Sequence, residues 1–187
     1  IDETLAALDT LARDGKVRYI GCSNFAGWQV AESWYIARDL GTAKFVSAQN
    51  HYNLLDRKIE QELIPAAKAY GASVLPYFPL ASGMLTGKYK RGADLPNDGR
   101  LTVWGERGKA MLSDANFDLI EKLSSFAEAR GHSLLDLAFG WLASQPQVAS
   151  VIAGATKPEQ VEMNVAAGTW ELSAAELAEV ATLSFRW

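Results

Sequence analysis

Arg18-Tyr19-Ile20-Gly21-Cys22-Ser23-Asn24-Phe25 is a short β-type run that stops abruptly in two small polar side chains. In α/β enzymes the groups that touch a ligand sit at the carboxyl ends of parallel strands. Ser23 and Asn24 are therefore candidate ligand contacts. The stretch also lies close to the first residue, whereas a barrel or doubly wound domain normally builds several units before its first contact. Ile1-Asp2-Glu3-Thr4-Leu5 already reads as a helix start, so the chain is expected to be a piece that opens inside a structural element.

The alternation continues outward from this stretch. Leu5, Leu8, Leu11 and Ala12 recur at helical spacing, with Asp2 as the expected cap and Gly15 as the stop. Strands are expected at Val17–Cys22, Phe45–Gln49, Ser73–Tyr77 and Val148–Ile152. Between and after them helices are expected at Trp28–Leu40, Arg57–Tyr70, Asn116–Ala129, Leu134–Leu142, Pro158–Ala167 and Ala174–Leu183. Gly41 and Gly71 end two of these, and Pro65 implies a kink or early break in the helix that contains it. Strands alternating with helices argue an α/β fold with about four parallel strands joined by helical crossovers. No composition shift divides residues 1–187, so one partial domain is expected. Its loosest part is residues 81–114, rich in Gly, Lys, Arg, Asp and Pro, which reads as a long functional loop over the carboxyl face of the sheet.

Composition narrows the class. The net charge is −4 and 49% of residues are hydrophobic, an ordinary globular balance that argues against nucleic acid or an anionic membrane as partner. The single cysteine, Cys22, excludes an internal disulfide and fits a reducing, cytoplasmic setting. No apolar run reaches the roughly 18 residues of a membrane helix.

Each expected strand ends in a polar cluster. The first ends in Ser23-Asn24, and the second in Gln49-Asn50-His51-Tyr52-Asn53. The third ends in Tyr77-Phe78-Pro79-Leu80-Ala81-Ser82-Gly83, and the fourth in Ala153-Gly154-Ala155-Thr156-Lys157-Pro158-Glu159-Gln160. Ser23, Asn24 and Gln49 supply neutral donors and acceptors suited to an amide. Tyr77 offers a flat face for a ring. Gly154, Thr156 and Lys157 precede a helix that starts at Pro158 or Glu159, an arrangement that favours an anion. Amide, flat ring and phosphate together describe a nicotinamide dinucleotide. Blander readings stand beside these. Cys22 reads as a small core residue and His51 as a packed or capping one. Glu121, Lys122 and the acidic run from Glu171 to Glu179 read as solvated helix surface. Trp104 reads equally as a pocket residue or a satellite apolar contact.

The residues that carry this pattern resemble the aldo-keto reductase family. The matching blocks are Gly15–Phe25, Gln49–Leu54, Pro79–Tyr89 and Gly154–Gln160, in the family's order and spacing. The resemblance implies the second half of a (β/α)8 TIM barrel that binds NADP(H) without a Rossmann domain. It implies that Ser23, Asn24 and Gln49 hold the carboxamide and that Tyr77 stacks on the nicotinamide. Leu80, Ser82 and Lys88, joined by Arg100, would line the pyrophosphate. Gly154, Thr156, Lys157, Gln160 and Asn164 would take the adenosine and its extra phosphate.

The sequence departs from the family pattern at Phe78, where a serine is common, and at Met163, where many members carry a glutamate. The family's Asp, Tyr, Lys and His tetrad belongs to the first half of the barrel, and no residue here aligns with it. The resemblance thus implies an NADP(H)-dependent oxidoreductase acting on small aldehydes or ketones, with this chain alone inactive. Its partner would be the missing amino-terminal half or another copy, because four strands cannot close a barrel. Two alternatives remain open. One is a non-catalytic NADP(H)-binding module, since some relatives serve as channel-associated subunits. The other is a phosphate-binding lyase, which would need a strand-end lysine that none of the expected strands carries.

Overall fold

A computed structural model describes residues 1–97 and 99–184. The chain packs as two compact units. Unit 1 comprises Ile1–Tyr52, Lys58–Tyr77 and Pro146–Ser150; unit 2 comprises Asn53–Arg57, Phe78–Gln145 and the described residues from Val151 onward.

Unit 1 contains helix α1 (Asp2–Arg13), strand β1 (Ile20–Ser23), helix α2 (Gly27–Leu40), strand β2 (Phe45–His51), a 3-10 turn at Lys58–Glu60, helix α3 (Leu63–Tyr70) and strand β3 (Ser73–Tyr77). The strands form a three-stranded parallel sheet in the order β1-β2-β3. Alternation decides which face packs. Ile20, Cys22, Ala48 and Val74 are buried, and the cluster of Cys22, Val30, Ala48 and Leu63 seats α2 and α3 on that side. Leu5, Ile20 and Ala37 bring in α1 and α2 in the same way. The residues between them point to the opposite face. In register these are Gly21 with Ser47, Ser23 with Gln49, and then Gln49 with Leu75 and His51 with Tyr77. Gly41 and Gly71 end α2 and α3 in the left-handed region, at φ 67° and φ 73°, which turns the chain sharply into the next strand.

Three expectations change. Asp2 is not the cap of α1; Ile1 is, and Asp2 lies in the first turn, where its carboxylate faces the helix dipole. The helix expected over Arg57–Tyr70 is broken, and α3 starts at Leu63, with Pro65 in its first turn, where its missing N–H costs nothing. The fourth strand, Val148–Ile152, does not form. Val148 makes one isolated parallel bridge to Val74, held by Val74 N–H to Gln147 O at 2.7 Å and Ala149 N–H to Val74 O at 3.1 Å. The next donor on that side of β3 would belong to Pro76, which has no N–H, so the ladder stops.

Unit 2 is helical. It holds a 3-10 segment at Ala81–Thr86 and helices α4 (Arg100–Val103), α5 (Glu106–Met111), α6 (Asp114–Glu128), α7 (Leu134–Ala143), α8 (Pro158–Ala167) and α9 (Ala174–Ser184). Helix α7 is apolar on every side and central, with Leu134, Leu137, Ala138, Phe139, Gly140, Trp141 and Leu142 buried. Ser133 and Asp136 close its amino end as a reciprocal capping box, with bonds of 2.8 and 3.1 Å. Helix α6 is amphipathic and buries Phe117, Ile120, Leu123 and Phe126. The segment 81–114 is thus largely short helices rather than open loop. Leu101, 1% exposed, anchors it, and its N–H donates to the Tyr89 hydroxyl at 3.1 Å.

Candidate functional site

In unit 1 the expected contacts converge at the carboxyl ends of β1, β2 and β3. The chain leaves β1 through Asn24, whose backbone is left-handed at φ 58° and whose N–H donates to Gln49 O at 2.9 Å. Asparagine tolerates that conformation better than most residues. The Ser23 hydroxyl donates to Gln49 O at 3.2 Å, and Asn24 Nδ2 donates to Ser23 Oγ at 3.2 Å. The Tyr77 hydroxyl donates to Asn24 Oδ1 at 2.7 Å. These links bind three strand ends into one polar corner. The Gln49 carboxamide, half-buried beside Ser23, makes no hydrogen bond among the described residues. It therefore has both a donor and an acceptor to offer a second amide. Tyr77 stacks on His51, with ring centroids 5.5 Å apart and planes at 10°, so the expected packing role of His51 has a specific partner.

The electrostatics of this corner suit a neutral group. The amino end of α2 follows directly, but the Glu62 carboxylate already accepts from Trp28 N–H there at 2.8 Å. That backbone donor is therefore already satisfied. Cys22, on the opposite face, is a core residue whose thiol donates to Ser47 O at 3.7 Å, and burial pushes its pKa up.

Unit 2 carries the remaining candidates, and its chemistry differs. Phe78, Ala81 and Ser82 are left-handed at φ 53°, 46° and 58°. With Asn24 they are the non-glycine residues of that kind among the described residues, and all follow strand ends. Such strain concentrates at functional sites. Leu80 caps the 3-10 segment, and Ser82 is buried with no side-chain hydrogen bond among the described residues. Lys88 lies across Gly83 and over the Tyr89 ring, its Nζ 5.1 Å from the centroid. Arg100 sits over Phe78 at 5.8 Å, and Arg107 over Trp104 at 4.9 Å.

Lys88, Arg100, Arg107 and Lys157 have no carboxylate partner among the described residues, whereas nearby Arg91 is ringed by Asp114, Asp118 and Glu121. A cation held on an aromatic face keeps its charge available to an anion. Gly154 lies beside Arg100, whose Nη2 would be 3.9 Å from a Cβ placed there. Helix α8 begins with Lys157 as an N-cap that makes no side-chain capping bond. Gln160 Oε1 accepts from Thr156 N–H at 2.7 Å and from Thr156 Oγ1 at 3.2 Å. It satisfies donors that an oxyanion could otherwise take. Asn164 is half-buried, and Met163 is 57% exposed.

The two sets differ in chemistry: neutral amide and hydroxyl groups in unit 1, and cations without a carboxylate partner beside small-residue turns in unit 2. The attachment of Arg100 to Phe78 was not legible in the sequence. A usable signal was present, however. None of Lys88, Arg100, Arg107 and Lys157 has an acidic residue three or four positions away, where a helical or turn pair would neutralise it.

The aldo/keto reductase family model matches residues 1–184. The chain is 36% identical over 170 residues to "Probable voltage-gated potassium channel subunit beta" of Oryza sativa subsp. japonica, covering 89% of this chain and 52% of that protein. It is 32% identical over 186 residues to "L-glyceraldehyde 3-phosphate reductase" of Escherichia coli strain K12, covering 96% and 53%. It is 33% identical over 177 residues to "NADH-specific methylglyoxal reductase" of the same organism, covering 94% and 51%. The chain spans about half the length of these curated relatives. With the family model matched from the first residue to the end of α9, this chain belongs to the aldo/keto reductase family.

Proposed function

We propose that the chain is the carboxyl-terminal, cofactor-binding part of a reductase that converts aldehydes or ketones to alcohols with NADP(H). The observation that carries this reading is the unpartnered Gln49 carboxamide beside Ser23, in a chain whose family match runs over residues 1–184. Ser23, Asn24 and Gln49 orient a carboxamide. Tyr77, steadied by Asn24 and His51, presents a ring face. Leu80, Ser82 and Lys88 receive a pyrophosphate. Gly154, Thr156, Lys157, Gln160 and Asn164 receive the adenosine end, with Lys157 favouring the extra phosphate of NADPH. The bound cofactor supplies the hydride. Proton donation to the carbonyl oxygen belongs to a part of the protein with which no residue here aligns, so the chain binds without turning over. The parallel order β1-β2-β3 supports its being the second half of a (β/α)8 barrel.

Titration of the full chain with NADPH, read by cofactor fluorescence, tests the proposal. Micromolar binding is expected, weakened about tenfold by Gln49→Ala, which removes the amide's half-buried partner. Absence of saturable binding would sink it. A second reading, a non-catalytic NADP(H)-binding regulatory subunit, is favoured by the 36% identity to the rice protein named as a channel subunit. Assay of the complete gene product separates the two: aldehyde-dependent NADPH oxidation supports the enzyme, and tight binding without turnover supports the subunit.

A further inference from the structure

Phe78 holds a left-handed backbone at φ 53° that a bulky residue does not adopt freely. Its carbonyl is fixed by Asn53 Nδ2 at 2.8 Å and by Ala81 N–H at 2.9 Å. Its ring is thereby aimed at two neighbours. The Arg100 guanidinium lies 5.8 Å from the ring centroid, and Trp104 meets the ring edge-on at 6.1 Å and 75°. Arg107 in turn covers Trp104 at 4.9 Å. The result is a pair of rings in edge contact with a guanidinium over each. Within unit 2 it ties α4 and the residues leading into α5 to Phe78.

We propose that Phe78 is a positioning residue, which holds the Arg100 guanidinium against the Gly154 turn so that its donors face a pyrophosphate. The role rests on the cofactor reading above. A carboxylate would hold Arg100 equally well but would cancel its charge. A serine at position 78 would offer Arg100 no face. An aromatic ring contacts the flat of the guanidinium and leaves its edge, with its N–H donors, open to phosphate oxygens. Arg100 Nη2 lies beside Gly154, 3.9 Å from where a Cβ there would stand, which places the guanidinium against that turn.

The test is a double-mutant cycle on the full chain, with dissociation constants for NADPH and for inorganic pyrophosphate. Phe78→Leu is expected to weaken both about two- to fivefold, the scale of one exposed cation–π contact. Phe78→Tyr restores wild-type affinity. In an Arg100→Ala background Phe78→Leu has no further effect on anion affinity, because its effect on the anion is exerted through Arg100. An equal loss in both backgrounds, or no loss in either, overturns the proposal. Should Phe78→Leu fail to fold, the wild-type chain still decides. Arg100 side-chain protons shifted upfield by the ring support the stack, and unshifted ones overturn it. Pyrophosphate coupling without NADPH binding would keep this role for Phe78 and remove the cofactor reading. Binding of neither would remove both.

Discussion

Gly83 is the residue on which the Lys88 arm depends. Its φ is 99°, and a Cβ would lie 2.7 Å from Lys88 Cε and 3.3 Å from Tyr89 Cε2. Gly83→Ala should therefore cost about 1–2 kcal/mol in backbone strain and displace Lys88. Urea unfolding would read the first effect, and pyrophosphate affinity the second. Cys22 sets a pH dependence. Burial raises its thiol pKa above the ordinary 9.0, so the native state holds the proton more tightly than the unfolded chain does. Its contribution is complete below the ordinary thiol range and is lost as pH rises through it, because the unfolded chain ionises first. Stability measured from about pH 8 to about pH 10 should fall, and less steeply in Cys22→Ala. An unchanged slope in that variant would assign the fall elsewhere. At this scale the sequence was legible where chemistry is local, as in the Ser23-Asn24 stop. It was not legible where a side chain finds a distant partner, as Tyr77 finds Asn24 and Arg100 finds Phe78.

Among the elements, α7 is the one around which unit 2 is built, so its capping is consequential. Ser133→Ala removes the acceptor for Asp136 N–H and should cost about 1 kcal/mol, read as a lowered urea midpoint with unchanged slope. Several helix ends were read from sequence, because periodicity and glycine termini are carried by neighbouring residues. The ends of α2 at Gly41 and of α3 at Gly71 are such cases. Strand pairing is less local. Val148–Ile152 has the composition of a strand, but pairing needs donors on β3, and Pro76 withholds one. The short helices of the 81–114 segment were missed for a related reason. Buried Leu101 and the Tyr89 hydroxyl hold them in place, rather than any periodicity of their own.

For the molecule as a whole, β1 pairs with β2 alone among the described residues, leaving an edge of unpaired backbone groups. Such edges pair with other chains unless covered. We expect the isolated chain to self-associate, with a light-scattering mass above 20.3 kDa; a monodisperse, cooperatively unfolding monomer would count against this. The sequence by itself determined the α/β alternation, the glycine-ended helix termini, the polar strand ends and the family, because each is written in residues adjacent along the chain. Tertiary structure decided how many strands pair, which cations keep their charge, and what steadies the corner at Ser23 and Asn24. Those outcomes turn on groups far apart in sequence: a proline that cannot donate to a ladder, a ring that lies beneath a guanidinium, and a tyrosine hydroxyl that reaches back across the sheet.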